Sequence, residues 1–346
     1  ILYIEDEEGN KEELMRKEAV DGENVNLTID LELQQKIYNI IKDKKASVVA
    51  LNPQNSKVLA LVNTPSFDPN QFSLGISQVN WEHLKNDKNY PMLNRAIQGL
   101  YTPGSVFKIF TAAAAIDSGI VNSDTKFNDK GNFRIYGNVI SNYQNKVIDE
   151  HVFSKALSES INTTFAKVAL ELSKNKFIEY GNKFSFEQKL DFPLEVRKSN
   201  IGPINNDIEL AWTALGQGKA VTTPLQMSSL IAIIGNDGKD VSPYIIEDEE
   251  RKLENEKIIN KTTAQELTKM LIEVVENGTG KKAKLEGVQI AGKTGTAEID
   301  NNKENTHAWF VGLYPAKNPE LAITIFLENG GVGGEEAAPI FKEIIK

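Results

Sequence analysis

Apolar positions recur at helical spacing in some segments and gather into short runs in others. In "LTIDLELQQKIYNIIKDK" the residues Leu33, Ile37, Ile40 and Ile41 recur at helical spacing, and Thr28 or Asp30 stands where a cap belongs. "ASVVALNPQNSKVLALVNTP" holds two apolar runs around Pro53-Gln54-Asn55-Ser56, which predicts a β-hairpin. The Asn/Pro/Gly-rich stretch from Thr64 to Gly104 predicts loop with short helices. From Ile109 to Ile116 the pattern has no polar face, so that helix belongs in a core. Segment 153–172, "FSKALSESINTTFAKVALEL", is helical but broken near Ser158–Asn162. Two more amphipathic helices follow in "TTPLQMSSLIAIIGNDGK" and "TTAQELTKMLIEVVENGTG", with Thr223 and Thr262 or Thr263 as caps and glycines after each end. "VQIAGKTGTAEI", "HAWFVGLYPA" and "LAITIFLEN" predict three strands, and "AAPIFKEIIK" a closing helix.

A hairpin early, a trio of strands late and helices between them describe a mixed α+β fold. Its antiparallel sheet has two parts that meet across a long helical insertion. Residues 1–26 carry much charge and little periodicity, and read as the frayed end of a preceding module or a linker. The length of 346 residues suits two ordinary domains, or one large domain with a smaller attachment. The net charge of −9 argues against nucleic acid as main partner, because phosphate binding needs a basic footprint. With no cysteine, disulfides and thiolate metal sites are excluded, and His83, His151 and His307 lack ligand spacing, so no metal is expected. No apolar run reaches the ~18 residues of a membrane span. The chain begins at Ile1 and reads as an excised or processed fragment.

The candidate chemistry starts at the mouth of the apolar helix. Ser105 and Lys108 are three apart, so on a helix hydroxyl and amine share a face. Pro103-Gly104 releases the chain into the first turn, where free N–H groups favour a developing anion. An amine held at an apolar helix loses its charge by desolvation and can take the serine proton. The bland alternative is a cap serine with a snorkelling lysine. Ser-x-x-Lys also occurs at Ser123–Lys126 and Ser173–Lys176, where no apolar helix follows. Ser160 and Asn162, two apart, can extend hydrogen bonding to the Lys108 amine, or can simply mark a helix break. Lys293, Thr294, Gly295 and Thr296 lie in a strand-like run, where Gly295 would admit a substrate backbone; the alternative is an edge strand with a protective lysine. "GVQIAGKT", Gly287 to Thr294, also matches the phosphate-binding loop, but its interior is strand-like and no helix follows in the pattern.

Ser-x-x-Lys, Ser-x-Asn and Lys-Thr-Gly in that order form the kind of set found in penicillin-binding proteins and class A β-lactamases. The flanks "LNRAIQGLYTPGSVFKIFTAAAAID", "ALGQGKAVTTPLQM", "HAWFVGLYPA" and "GGVGGEEAAPIF" extend the match. From about Leu27 to Lys346 the chain resembles the transpeptidase domain of class B penicillin-binding proteins. That resemblance implies the penicillin-binding/serine β-lactamase-like fold: a five-stranded antiparallel sheet flanked by helices, plus an all-helical subdomain. It implies domains at 1–26, the remnant of an N-terminal non-catalytic module or linker, and 27–346, the transpeptidase domain.

The resemblance also implies a serine D,D-transpeptidase that cross-links peptidoglycan stem peptides and is acylated by β-lactams. Ser105 would attack the D-Ala-D-Ala carbonyl and Lys108 would be the base. Ser160 would relay protons and Asn162 would hold the substrate amide. Lys293 would steer the terminal carboxylate, which Thr294 and Thr296 would hydrogen-bond, with Gly295 between them. The backbone N–H groups of Ser105 and Thr296 would form the oxyanion hole. No cofactor is implied. Implied partners are the stem-peptide donor and an acceptor amine, β-lactam antibiotics, a glycosyltransferase and other cell-wall synthesis proteins. The implied location is the extracytoplasmic face of the bacterial membrane, with an N-terminal anchoring helix absent from this chain. The segment "KFNDKGNFRIYGNVISNYQNKVIDEH" matches the family only loosely. A D,D-carboxypeptidase, a β-lactamase and a non-catalytic β-lactam sensor or scaffold share the motifs and are the rival readings.

Overall fold

The computed structural model describes residues 2–18, 20–73, 75–247, 256–299 and 302–346. The charged start forms a hairpin where the sequence suggested a frayed end. Its strands, β1 (Leu2–Glu5) and β2 (Lys11–Met15), are exposed along their whole length. The Asp6 carboxylate closes the turn by accepting from the N–H groups of Glu8 at 2.9 Å and Asn10 at 2.8 Å.

Next comes α1 (Leu31–Ile41), capped by Asp30, whose carboxylate accepts from the Leu33 N–H at 3.0 Å. Thr28, the other candidate cap, instead donates its hydroxyl to the Val58 carbonyl at 2.7 Å. The expected hairpin is β3 (Ala46–Leu51) and β4 (Val58–Thr64). Short helices α2 (Asn70–Ser73), α3 (Gln78–Asn86) and α4 (Arg95–Gln98) occupy the Asn/Pro/Gly-rich stretch. The apolar helix is α5 (Lys108–Asp117), fully buried from Lys108 to Ile116.

The loosely matching segment carries two small sheets that its sequence pattern did not announce. One pairs β5 (Lys126–Asp129) with β8 (Asp149–Val152), the other β6 (Asn132–Ile135) with β7 (Asn138–Ser141). The subdomain expected to be all-helical thus carries short strands as well. The break in segment 153–172 separates α6 (Phe153–Ser158) from α7 (Asn162–Leu172). Then follow α8 (Lys174–Lys183), α9 (Asp207–Ala214) and α10 (Pro224–Gly235), the last capped by Thr223 as expected. In α11 (Lys261–Glu276) the cap position is Asn260, so Thr262 and Thr263 lie inside the first turn. Thr263 is drawn away from capping by Asp117, to which its hydroxyl donates at 3.0 Å.

The late strands are β9 (Ala291–Ile299), β10 (Asn302–Tyr314) and β11 (Leu321–Leu327). The turn expected after Ile299 falls partly on 300 and 301, outside the described residues. The closing helix α12 (Gly333–Ile345) starts four residues ahead of Ala337, with Glu335 and Glu336 at its positive end.

The five strands form one antiparallel sheet in the order β4-β3-β11-β10-β9. The early hairpin therefore joins the late trio across the helical insertion. Strand alternation splits the core in two. Val48, Ala50, Phe310 and Ile325 pack against α1 and α12 on one face. Val49, Trp309, Val311 and Phe326 belong to the larger cluster containing α5, α10 and α11 on the other. β9 is an edge strand, and the turn before α5 lies against it.

Candidate active site

The nucleophile candidate sits on a single 3₁₀ turn, Gly104–Phe107, and not on the α-helix itself. Ser105 and Lys108 stay on one side, because residues three apart eclipse in a 3₁₀ turn. Glycines make this position reachable. Gly104 has φ +57° and donates its N–H to the Gly216 carbonyl at 2.8 Å. A Cβ on Gly216 would lie 2.1 Å from the Gly104 oxygen. Upstream, Tyr101 exchanges two backbone hydrogen bonds with Thr222, and the Trp309 indole donates to the Thr102 carbonyl at 3.1 Å. Among the described residues, the Ser105 hydroxyl has no hydrogen-bond partner.

Lys108 points into the space between α5 and the α6–α7 break. Its Nζ donates to Asn162 Oδ1 at 2.7 Å and the Ser160 carbonyl at 2.8 Å, and lies 3.1 Å from Ser160 Oγ. All these partners are neutral. Burial first, then the charge of Lys293, push its pKa well below the ordinary lysine value of 10.5. The snorkelling alternative fails, since this amine is fully enclosed.

Ser160 owes its position to how α6 ends. Its N–H donates to the Leu157 carbonyl and the Ile161 N–H to that of Ala156, the bonding of a Schellman turn. The residue in the left-handed place is Ser160, with φ +59°, where glycine is usual. Asn162 opens α7, and its amide also donates to the Ser141 carbonyl at 2.9 Å.

A buried carboxylate outside the motifs underpins this corner. Asp129, at the end of β5, accepts from the Thr163 hydroxyl at 2.5 Å, Gly131 N–H at 3.0 Å, Ile148 N–H at 3.0 Å and the Asn142 amide at 2.8 Å. Burial alone would raise its pKa, but those four bonds outweigh it and hold the value below the usual carboxylate range. Nothing in the sequence marked Asp129, because its partners are up to 34 residues away.

Lys293, Thr294, Gly295 and Thr296 lie mid-strand in β9, which runs on to Ile299. The phosphate-loop match is thereby removed, since that loop must open a helix. Lys293 is completely buried, so it is no protective edge lysine; its amine donates to the Thr294 carbonyl at 3.1 Å, and burial lowers its pKa to about 7. The close approach that Gly295 permits is to the chain's own nucleophile turn. A Cβ there would stand 2.9 Å from Val106 Cγ1 and 3.0 Å from the Pro103 oxygen. A Cβ on Gly104 would likewise stand 2.7 Å from the Thr296 oxygen, so the Thr296 backbone lies against the residue before Ser105. Thr296 Oγ1 accepts from the Gly333 N–H at 3.1 Å, and Thr294 Oγ1 donates to Thr279 Oγ1 at 2.7 Å.

Three distant motifs thus meet around one unpartnered hydroxyl and two enclosed amines. Ser123, Lys126, Ser173 and Lys176 stay at the surface and take no part. Among the described residues, no group of three His, Asp or Glu side chains is gathered as for a metal.

A family model described as the penicillin-binding protein transpeptidase domain matches residues 46–346. Penicillin-binding protein 3 of Bacillus subtilis is 32% identical over 92% of this chain, which spans about half (49%) of that protein's length. Peptidoglycan D,D-transpeptidase PbpA of Mycolicibacterium smegmatis is 32% identical over 94% of this chain and 72% of its own. The solved structure of penicillin-binding protein A from M. tuberculosis, a ceftriaxone acyl-enzyme complex, superposes with a TM-score of 0.88 at 29% identity. It covers 93% of this chain and 79% of that one. The fold, the order of the motifs and these likenesses agree that the chain belongs to the transpeptidase-domain family of class B penicillin-binding proteins.

Proposed function

We propose that residues 27–346 are the catalytic domain of a peptidoglycan D,D-transpeptidase, and residues 1–26 the tail of an N-terminal non-catalytic module. The observation that carries this reading is the Lys108 amine. It is buried among neutral acceptors from the Ser-x-Asn motif, with its proton affinity lowered, three residues on from a serine whose hydroxyl has no partner. A neutral amine has two protons and one lone pair. Donating to the Ser160 carbonyl and Asn162 leaves that lone pair for the Ser105 proton.

The proposed reaction uses those positions. Lys108 takes the Ser105 proton as Oγ attacks the penultimate D-Ala carbonyl of a stem peptide. The N–H groups of Ser105 and Thr296 hold the developing oxyanion. Ser160, 3.1 Å from the amine, passes the proton to the departing D-Ala nitrogen, which leaves the acyl group on Ser105. An acceptor amine then attacks this ester, its proton returns through the same relay, and Ser105 is regenerated. Asn162 orients the donor's amide, and Lys293, Thr294 and Thr296 receive its carboxylate, with Gly295 keeping β9 close to the nucleophile turn. A β-lactam acylates Ser105 by the same first step. No cofactor takes part.

The substrate places the domain outside the cytoplasmic membrane. Among the described residues no helix is long and apolar enough to cross a membrane. A glycosyltransferase that supplies glycan strands is the expected partner.

The test is intact-protein mass after incubation with benzylpenicillin, wild type beside Ser105→Ala. A stable adduct on the wild type alone supports the reading. An adduct that decays with drug hydrolysis identifies a β-lactamase instead. Release of D-Ala without cross-linking identifies a carboxypeptidase, and acylation without turnover of any stem peptide a sensor. Absence of an adduct on the wild type overturns the assignment of Ser105.

A further inference from the structure

The loop after α11, Asn277 to Gly280, belongs to none of the motifs yet bonds to one of them and to the end of α6 just ahead of another. The Thr279 N–H donates to the Ser158 carbonyl at 3.1 Å, two residues ahead of Ser160. The Thr279 hydroxyl oxygen accepts from Thr294 at 2.7 Å. Glycines make this contact possible. A Cβ on Gly278 would lie 2.3 Å from the Ser158 oxygen, and one on Gly334 would lie 2.7 Å from the Thr279 oxygen. The Thr279 side chain itself is exposed.

The two β9 hydroxyls are therefore inequivalent. A hydroxyl has one proton to donate. Thr296 accepts from the Gly333 N–H, which leaves its own proton free for a ligand. Thr294 is buried, and its proton is already committed to Thr279. A carboxylate arriving at β9 needs donors. Thr294 can supply one only if its bond to Thr279 reverses, so that Thr279 donates to Thr294 Oγ1 and Thr294 turns its proton to the anion. In such a chain each bond polarises the next.

We infer that Thr279 is a positioning residue for carboxylate recognition: its hydroxyl accepts from Thr294 in the empty site and donates back to it when an anion binds. This inference rests on the transpeptidase reading above. The test compares benzylpenicillin with its methyl ester, which lacks the charge. Second-order acylation rates are followed by intact-protein mass for wild type, Thr279→Val and Thr279→Ser. Valine keeps the shape and the backbone bond to Ser158 but removes the hydroxyl; serine restores it. The acid-to-ester rate ratio falls about threefold in Thr279→Val, where Thr294 keeps its own proton but loses the neutral hydroxyl donor that orients and polarises it, and returns in Thr279→Ser. An unchanged ratio in Thr279→Val, or a serine variant that behaves like valine, overturns the inference while leaving the wild-type adduct intact. No adduct on the wild type with either compound removes the transpeptidase reading and this inference with it. Should melting show Thr279→Val misfolded, Thr279→Ala is read by the same ratio.

Discussion

Lys293→Met is expected to stabilise the protein while damaging its site. The Lys293 side chain is fully enclosed on β9, donates to a neutral carbonyl, and has its pKa lowered by burial from 10.5 to about 7. The unfolded chain keeps the ordinary value. Between those two values the unfolded state binds more protons than the folded one, so stability rises with pH across that window. The penalty is complete below the folded value and gone above the unfolded one. It amounts to about 4 kcal/mol at pH 7 and about 1 kcal/mol at pH 9.5. Methionine removes it and gives up one hydrogen bond, a loss of about 1 kcal/mol. Lys293→Met should then exceed wild type by about 3 kcal/mol at pH 7 and match it near pH 9.5. Urea denaturation at both pH values measures the gap. A variant no more stable at neutral pH, or a gap that does not close on the alkaline side, refutes the account of Lys293 as an uncompensated buried cation.

Other changes test other parts of the site. Acylation by benzylpenicillin should lose efficiency as pH rises through about 7, where free Lys293 discharges, and Lys293→Met should abolish that limb in a pH profile of the second-order rate. Ser160→Gly relieves a left-handed serine and should stabilise by about 1 kcal/mol in denaturant, while slowing acylation by about 10²-fold through loss of the relay hydroxyl. Gly295→Ala forces a Cβ against Val106 and Pro103; it should destabilise by about 1–3 kcal/mol and lower acylation by about 10²-fold, read by melting and adduct formation. Asp129→Ala strands the Thr163 hydroxyl, the Asn142 amide and two N–H groups and should cost about 3 kcal/mol in urea, with slower acylation; a change below about 1 kcal/mol would contradict its role as anchor of the Ser-x-Asn corner.

Local pattern alone determined much of this protein. Short apolar runs foretold all five strands of the main sheet, an unbroken apolar stretch foretold α5, and the period near 3.6 foretold α1, α10 and α11, because side-chain direction repeats with the backbone whatever lies across from it. The break at Ser158–Asn162 was legible as a lapse in helical spacing. The three motifs were legible too, since each is a short run whose residue types suit one chemistry.

Tertiary structure decided how they act. Lys108 meets Ser160 and Asn162 across 52 and 54 positions, so its enclosure and lowered pKa arise only when α5 packs beside the α6–α7 break. Gly295 proved to serve the nucleophile turn, which a strand pattern cannot reveal. Thr263 lost its capping role to Asp117 on another helix, and Asp129 and Thr279 gained theirs from partners that no local spacing connects to them. Periodicity reports which way a side chain faces. What it meets there depends on loop closures that bring remote segments together, and hydrogen bonds and desolvation act only over those few ångströms.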